Sequence, residues 1–281
     1  MNRFILLVLF TLMEIVYSSN GFSPINALKS LPLHRLYSYI DAQKSALIDG
    51  PIDELICNGP IPVKDRIFMI NGWRWHTKSV LRDLDRFEKV LHECSNEKNQ
   101  TVAIVERLKK CYSFVFAFNW GACMRVEREL FFPWLQSLLP QSTKYLFTEV
   151  YRQHDSIQSM SASLSQECSE ISTSVNGYKK AFRLLSSLKE SALAIQVVQE
   201  TIFVPYVAAY VKKKDQEKFN SRVISRLGLL ESQIHLVSMK EAITGNKNEE
   251  GKFREQIPYI ARSLIPIWKK RFYHPKSECL E

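Results

Sequence analysis

Apolar residues recur along most of this chain at steps of three and four, the period of a helix with one buried face. From about Asp65 to His92 the stripe is Ile67, Ile70, Trp73, Val80, Leu84, Phe87 and Leu91, and His76 shares that face. The polar stretch Glu93 to Gln100 predicts a turn. A second helix follows over about Val102 to Leu139, stopped by Pro140; its middle, Tyr112 to Trp120, is apolar on nearly every side, which predicts burial. A third, from about Ser142 to Ser172, turns Leu146, Val150, Ile157, Leu164, Cys168 and Ile171 inward, with His154 on the same stripe, and Gly177 breaks it. A fourth runs from Tyr178 through Tyr210 and extends as far as Arg226 if unbroken, with Gly228 offering a stop. Four long helices with short connections predict an all-α antiparallel four-helix bundle. Beyond it, Thr244 to Gly251 reads as a loop. Phe253 to Phe272 reads as an amphipathic helix broken by Pro258 and Pro266, a C-terminal helical extension packed on the bundle.

The start of the chain reads differently. Met1-Asn2-Arg3 precedes an apolar run from Phe4 to Leu12, and Ser18-Ser19-Asn20-Gly21 supplies small and polar residues after it. A basic start, a short apolar core and a small-residue exit describe a signal peptide. The run is too short, and too soon interrupted by Glu14, to span a membrane. Phe22-Ser23-Pro24, placed directly after it, resembles the bipartite presequence of algae with secondary red plastids. Asn26 to Tyr39 carries Lys29, His34 and Arg35 and no acid, as transit peptides do. Two destinations follow, a plastid reached through the endoplasmic reticulum, or secretion. The predicted organisation is a signal peptide over 1–21, a transit-like irregular lead-in over 22–64, the bundle over 65–230 and a basic extension over 231–281.

Composition narrows the classes. Nine glycines in 281 residues are few for an all-β chain, which needs many tight turns. The net charge of +9 raises nucleic acid and anionic membranes as partners. The basic residues are spread along helix faces rather than clustered, which argues against a nucleic-acid patch. Trp268-Lys-Lys-Arg-Phe272 suits either an anionic membrane surface or an ordinary basic helix end. Six cysteines form no C-x-x-C pair and no zinc pattern. Cys94 and Cys111 flank a polar loop and can pair in an oxidising compartment, and Asn99-Gln100-Thr101 in that loop is a glycosylation sequon. There is no Gly-rich phosphate loop, no His-Glu-x-x-His and no Gly-x-Ser-x-Gly. A nucleophilic pair drawn from Cys123 and His154 has nothing in the sequence to activate the thiol.

Two segments repeat without a gap. Arg125-Val-Glu-Arg-Glu-Leu-Phe-Phe-Pro-Trp-Leu135 aligns with Val197-Val-Gln-Glu-Thr-Ile-Phe-Val-Pro-Tyr-Val207. Phe131, Pro133 and Trp134 match Phe203, Pro205 and Tyr206, so a proline falls at the same level in the second and fourth helices. With this feature the chain resembles the hemerythrin-like (HHE cation-binding) family, a four-helix bundle with a non-haem di-iron centre. In that family the first and third helices each give a His, and the second and fourth each give His-x-x-x-Glu ahead of a Phe-Pro. Residues four apart share a helix face, so one helix offers two ligands to one metal.

The resemblance assigns His76 to the first-helix place and His154 to the third. Glu127 takes the second-helix Glu place and Cys123 its His place. In the fourth helix Gln199 stands for the Glu and Ile195 for the His, with Glu200 one residue out of register. Three positions are kept and three lost. The implied protein is a hemerythrin-like bundle with a degenerate di-iron site, in a non-catalytic binding or accessory role beside a protein partner. The alternative is a single Fe or Zn ion held by His76, Cys123, Glu127 and His154. Too few donors remain for a full di-iron centre.

Overall fold

The first apolar stripe becomes α1 (Asn71–Asn96), and Trp73, Val80, Leu84, Phe87 and Leu91 are all buried on it. Each such Leu or Phe, fully removed from water, contributes roughly 1.5–3 kcal/mol before entropy is counted. Ile67 precedes the helix and is exposed. In this computed structural model, the described residues are 65–96, 102–138, 144–171 and 177–281. The targeting segment over 1–21, the lead-in over 22–64 and the Asn99 sequon lie outside them.

The second helix, α2, runs over 102–138 and changes winding as it goes: α over Val102–Tyr112, π over Ser113–Trp120, α over Gly121–Val126, π over Glu127–Phe131 and α over Phe132–Leu138. α3 is Lys144–Glu170. α4 runs over 177–210, again with a π segment, Gln199–Phe203. It ends at Tyr210, where Val211 is extended, and α5 (Lys213–Leu227) restarts the helix and stops at Gly228, whose φ of 76° favours glycine. α1 packs on α2 and α4, and α3 packs on α4 and the first part of α2, so the four helices enclose a common core. The described residues contain helices and no strand, so the fold is all-α.

The region past 230 is built more firmly than the sequence pattern implies. α6 (Leu229–Ile243) lies along α1 and sends Ile234 and Val237 into the core. The expected loop at Thr244 to Gly251 is only a short turn at Gly245, because Asn246 caps α7 (Lys247–Gln256) by accepting the Glu249 N–H at 3.2 Å. α8 runs over 259–277, carries Pro266 inside it, and is followed by a 3-10 turn, Glu278–Leu280. Tyr273, Cys279 and Leu280 join the same core, and Trp268 packs at its edge. The basic segment is thus partly engaged: Lys269 pairs with Glu241 at 3.0 Å. No described helix is long and apolar enough to cross a membrane.

The repeat has a structural counterpart. A five-residue π turn ends two residues before Pro133 and another two residues before Pro205. In each the closing N–H reaches back five residues, Phe132 to the Glu127 carbonyl and Val204 to the Gln199 carbonyl. Proline has no N–H for the carbonyl four residues back, and its ring crowds that carbonyl. A wider turn just ahead of it relieves the crowding. α8 does the same a third time: Lys269–Tyr273 is π, His274 N–H reaches the Lys269 carbonyl, and Pro275 follows. The shared signal is an aromatic residue two before the proline: Phe131, Phe203 and Tyr273.

The longer π segment depends on Gly121. A Cβ there would stand 2.8 Å from the Phe116 carbonyl oxygen, which accepts the Gly121 N–H. Only glycine lets the backbone close the wide turn at that point.

Candidate functional site

The four residues expected as one ligand set fall into two neighbourhoods. In the first, Glu127 from the short π turn of α2 is buried between α1 and α3. Its Oε1 accepts the Trp73 indole N–H at 2.7 Å, and its Oε2 lies 3.0 Å from His154 Nε2. The His154 contact is close but misaligned, since neither ring nitrogen makes a hydrogen bond of ordinary geometry. Cys123 sits one turn before Glu127. Burial pushes its thiol well up, the Glu127 carboxylate adds to this, and a hydrogen bond with Thr77 acts the other way. The thiol is therefore neutral and not an activated nucleophile.

Gln199 occupies the π turn of α4 that corresponds to Glu127. It is 1% exposed, and neither its amide oxygen nor its amide nitrogen has a partner. Glu200 faces the other way, in a bidentate pair with Arg74 at 2.8 Å and 2.8 Å. Ile195 packs on the core edge. Around these groups lies an aromatic shell, in which Trp73 touches Phe131 at 3.9 Å and Phe132 lies 5.6 Å from the His154 ring.

His76 belongs to the second neighbourhood. The long π segment carries Asn119 across to α1, where His76 Nε2 lies 3.0 Å from the Asn119 carbonyl and 2.9 Å from its Oδ1. Both are acceptors, so Nε2 carries the proton. Asn119 Nδ2 donates to Asp83 at 2.8 Å, Arg82 donates to Asp83, and the same guanidinium reaches Ser238 and the Tyr273 hydroxyl at 2.8 Å. Asp83 is fully buried, which raises its pKa although Arg82 and Arg86 oppose the shift. The His76 ring lies 4.7 Å from that of His235, which stacks on Phe118 at 4.5 Å. Burial first, and the neighbouring His235 second, lower the His76 pKa to about 3, so it is neutral at any physiological pH.

The structure thus brings Glu127, His154 and Cys123 into one region and turns His76 to Asn119 and His235. Among the described residues no group of three or more His, Cys, Asp or Glu is placed to hold a metal ion. With Trp73 on one Glu127 oxygen and with Gln199 and Ile195 in the fourth-helix places, the residues present do not fit a dinuclear iron centre. Cys111, Cys123, Cys168 and Cys279 are free thiols. Cys111 does not pair with Cys94 but directs its Sγ to the Cys279 carbonyl at 3.1 Å.

A cavity of about 390 Å³ opens beside both neighbourhoods. Its walls come from the start of α1, the lower part of α2, α5, α6 and α8. Trp73, His76 and Cys123 form part of its lining, and so do His235 and Ser232. Nothing in the spacing of apolar residues marks His235, Asn119 or Asp83. The only signal for His235 is a histidine set between Ile234 and Val237 on an apolar face. Asn119 and Asp83 acquire meaning only once the π winding brings them together.

Compared with family models, curated proteins and solved structures, the chain finds no match.

Proposed function

We propose that this chain is a hemerythrin-like four-helix-bundle protein whose di-iron site has degenerated, acting as a non-catalytic binding or accessory protein. The observation that supports this reading most is the use of Glu127. Its two carboxylate oxygens face Trp73 Nε1 and His154 Nε2, so the one acid left of the family's set is occupied by neighbouring side chains. The paired π turns at Glu127–Phe131 and Gln199–Phe203 support the pseudo-twofold relation of the two helical hairpins. Among the described residues, Cys123 keeps a neutral thiol, which gives no support to the Cys123–His154 nucleophilic pair. The signal-peptide-like start and the Phe22-Ser23-Pro24 motif are the sequence features behind two proposed destinations, a plastid reached through the endoplasmic reticulum or secretion. Metal analysis of the purified protein tests the reading: iron well below one per chain is expected, and stoichiometric iron overturns it.

A second reading has one observation in its favour. His154 and Gln199 are buried with hydrogen-bonding atoms unmatched, and such groups cost about 1–3 kcal/mol each when left so. A single Fe or Zn ion on His76, Cys123, Glu127 and His154 would satisfy the imidazole, but it requires these side chains to move together, since no three of them converge in this structure. Zinc titration showing one tight site, lost in His154→Leu, distinguishes this reading from the first.

A further inference from the structure

Two separate parts of the chain bring exposed apolar side chains to the mouth of the cavity. Ile224 near the end of α5 and Leu229 at the start of α6 line it, and so do Ala261 and Trp268 of α8. Leu229 is 77% exposed, Tyr259 75%, Ile260 73% and Ile267 55%. No residue from Tyr259 to Trp268 is buried. Steps of three and four put Ile260, Ser263 and Ile267 on one face of α8, and exposed Lys270 and Arg271 continue it. The other side of α8 carries Ile265, Phe272 and Tyr273, which pack on the core. So α8 uses one apolar side for packing and presents a second one to water. Large apolar side chains gathered in one exposed area mark an interaction surface.

The charge around this area has one sign. Residues 218–230 hold three Lys or Arg and residues 257–277 hold five, and neither stretch contains an Asp or Glu. Lys269 pairs with Glu241 and Arg226 with Glu129, but Arg222, Lys270 and Arg271 meet no carboxylate among the described residues. The Arg271 guanidinium lies instead over the Phe272 ring, 5.4 Å from its centroid.

This combination selects the occupant. Nucleic acid would match the cations but would set Leu229, Ile260 and Ile267 against phosphates and water. A second copy docked face to face would bring like charges together. An anionic bilayer surface satisfies both features: the apolar side chains enter the boundary between headgroups and acyl chains, while Lys and Arg stay among the negative headgroups. Tyr259 and Trp268, each an apolar ring with one polar atom, suit that boundary.

We propose that the exposed face of α8, together with Ile224 and Leu229 at the α5–α6 turn, docks this protein on anionic membrane surfaces. The contact is peripheral, because no described helix is long and apolar enough to cross. It goes beyond the binding role proposed above and does not rest on it.

Co-sedimentation of the purified full chain with phosphatidylcholine vesicles, with and without about one-third phosphatidylserine, tests this. Binding to the anionic vesicles is expected to be at least about tenfold stronger and to weaken as salt is raised. Ile260→Ser with Ile267→Ser, and separately Lys270→Glu with Arg271→Glu, are each expected to lower that binding at least about tenfold, with the fold intact by circular dichroism. Lys179→Glu with Lys180→Glu makes the same change in net charge at the other end of α1, where Phe182 meets His92, and is expected to keep most of the binding. All variants share the apolar run Phe4 to Leu12, so its contribution cancels. Hydrogen exchange on the vesicle-bound chain is expected to slow over residues 258–271. Equal binding to neutral vesicles, unchanged binding in either α8 variant, equal loss in the Lys179/Lys180 variant, or unprotected α8 amides each overturns the proposal. So does a stable dimer that anionic vesicles do not dissociate and that Ile260→Ser with Ile267→Ser breaks, since a second copy then covers the face.

Discussion

Two buried polar groups lie close together in this molecule and are built in opposite ways. Around Asp83 nearly every donor meets an acceptor: Asn119 bridges His76 to Asp83, and Arg82 ties Asp83 to Ser238 and Tyr273. Around Glu127 the carboxylate is matched, but His154 and Gln199 bring buried polar atoms that find no aligned partner. A satisfied buried network specifies one packing of α1, α2, α6 and α8, whereas an unsatisfied one lowers stability and marks a place where something else is accommodated.

The contrast is broken most directly at Asp83. Asp83→Ala leaves Arg82 and the Asn119 amide without their acceptor and is expected to cost about 3–5 kcal/mol, the range for breaking one side of a buried pair. Urea unfolding with a lowered midpoint and an unchanged slope reads this; a loss under about 1 kcal/mol shows that the network contributes little.

Gly121→Ala tests whether the π winding is what assembles the network. Its Cβ would press on the Phe116 carbonyl at 2.8 Å, and a loss of about 1–3 kcal/mol is expected. If the variant is as stable as the parent, the long π turn is not under glycine control.

Acid separates the two regions next. The His76 pKa falls from 6.5 to about 3 on folding, and His235 is lowered too, mainly by burial. The unfolded chain therefore binds protons that the folded chain refuses. Stability from His76 is complete above about pH 6.5 and declines as pH falls from there towards 3, by up to about 1.4 kcal/mol per pH unit. Asp83, whose pKa is raised, shifts stability in the opposite direction at the acid end, while Glu231, whose pKa is lowered, adds to the acid loss. A His76→Gln variant is expected to flatten the slope between pH 6.5 and 5; an unchanged slope sinks the assignment to His76.

The smallest effect belongs to Gln199. Gln199→Leu replaces an unmatched buried amide with an apolar group of similar size and is expected to change stability by less than about 1 kcal/mol, in the stabilising direction. A loss of about 2 kcal/mol or more means the amide has a partner, and the two regions are then built alike.

Much of this was legible along the chain. The three-and-four spacing from Trp73 to Leu91 predicted α1 and its buried face, and Gly228 marked the end of α5, because local propensity and one-sided burial act over a few residues. The repeat around Pro133 and Pro205 was visible as letters, but its meaning as paired π turns was not, since Pro266 sits in α8 with no such turn ahead of it. The ligand set was harder. His76 and His154 sit on apolar stripes in the same way, and no periodicity says that one meets Asn119 and the other Glu127. Those pairings depend on how far the helices rotate about their axes, and the π segment at Ser113–Trp120 changes that rotation midway along α2. Past 230 the sequence pattern predicts an extension packed on the bundle, but it gives no sign that Ile234, Val237, Tyr273 and Leu280 reach the core itself.

Sequence by itself determined that the chain is helical, where most helices run, and that two of them carry a matching Phe-x-Pro-aromatic segment. These follow from backbone chemistry and the period of burial, which are local. Only the tertiary structure decided which polar residues meet, that His76 turns to Asn119 and His235, and that α1, α2, α5, α6 and α8 line a cavity with no charged residue among its described lining. Such matters rest on contacts between residues up to about 190 positions apart, such as Arg82 and Tyr273, and no local pattern encodes them.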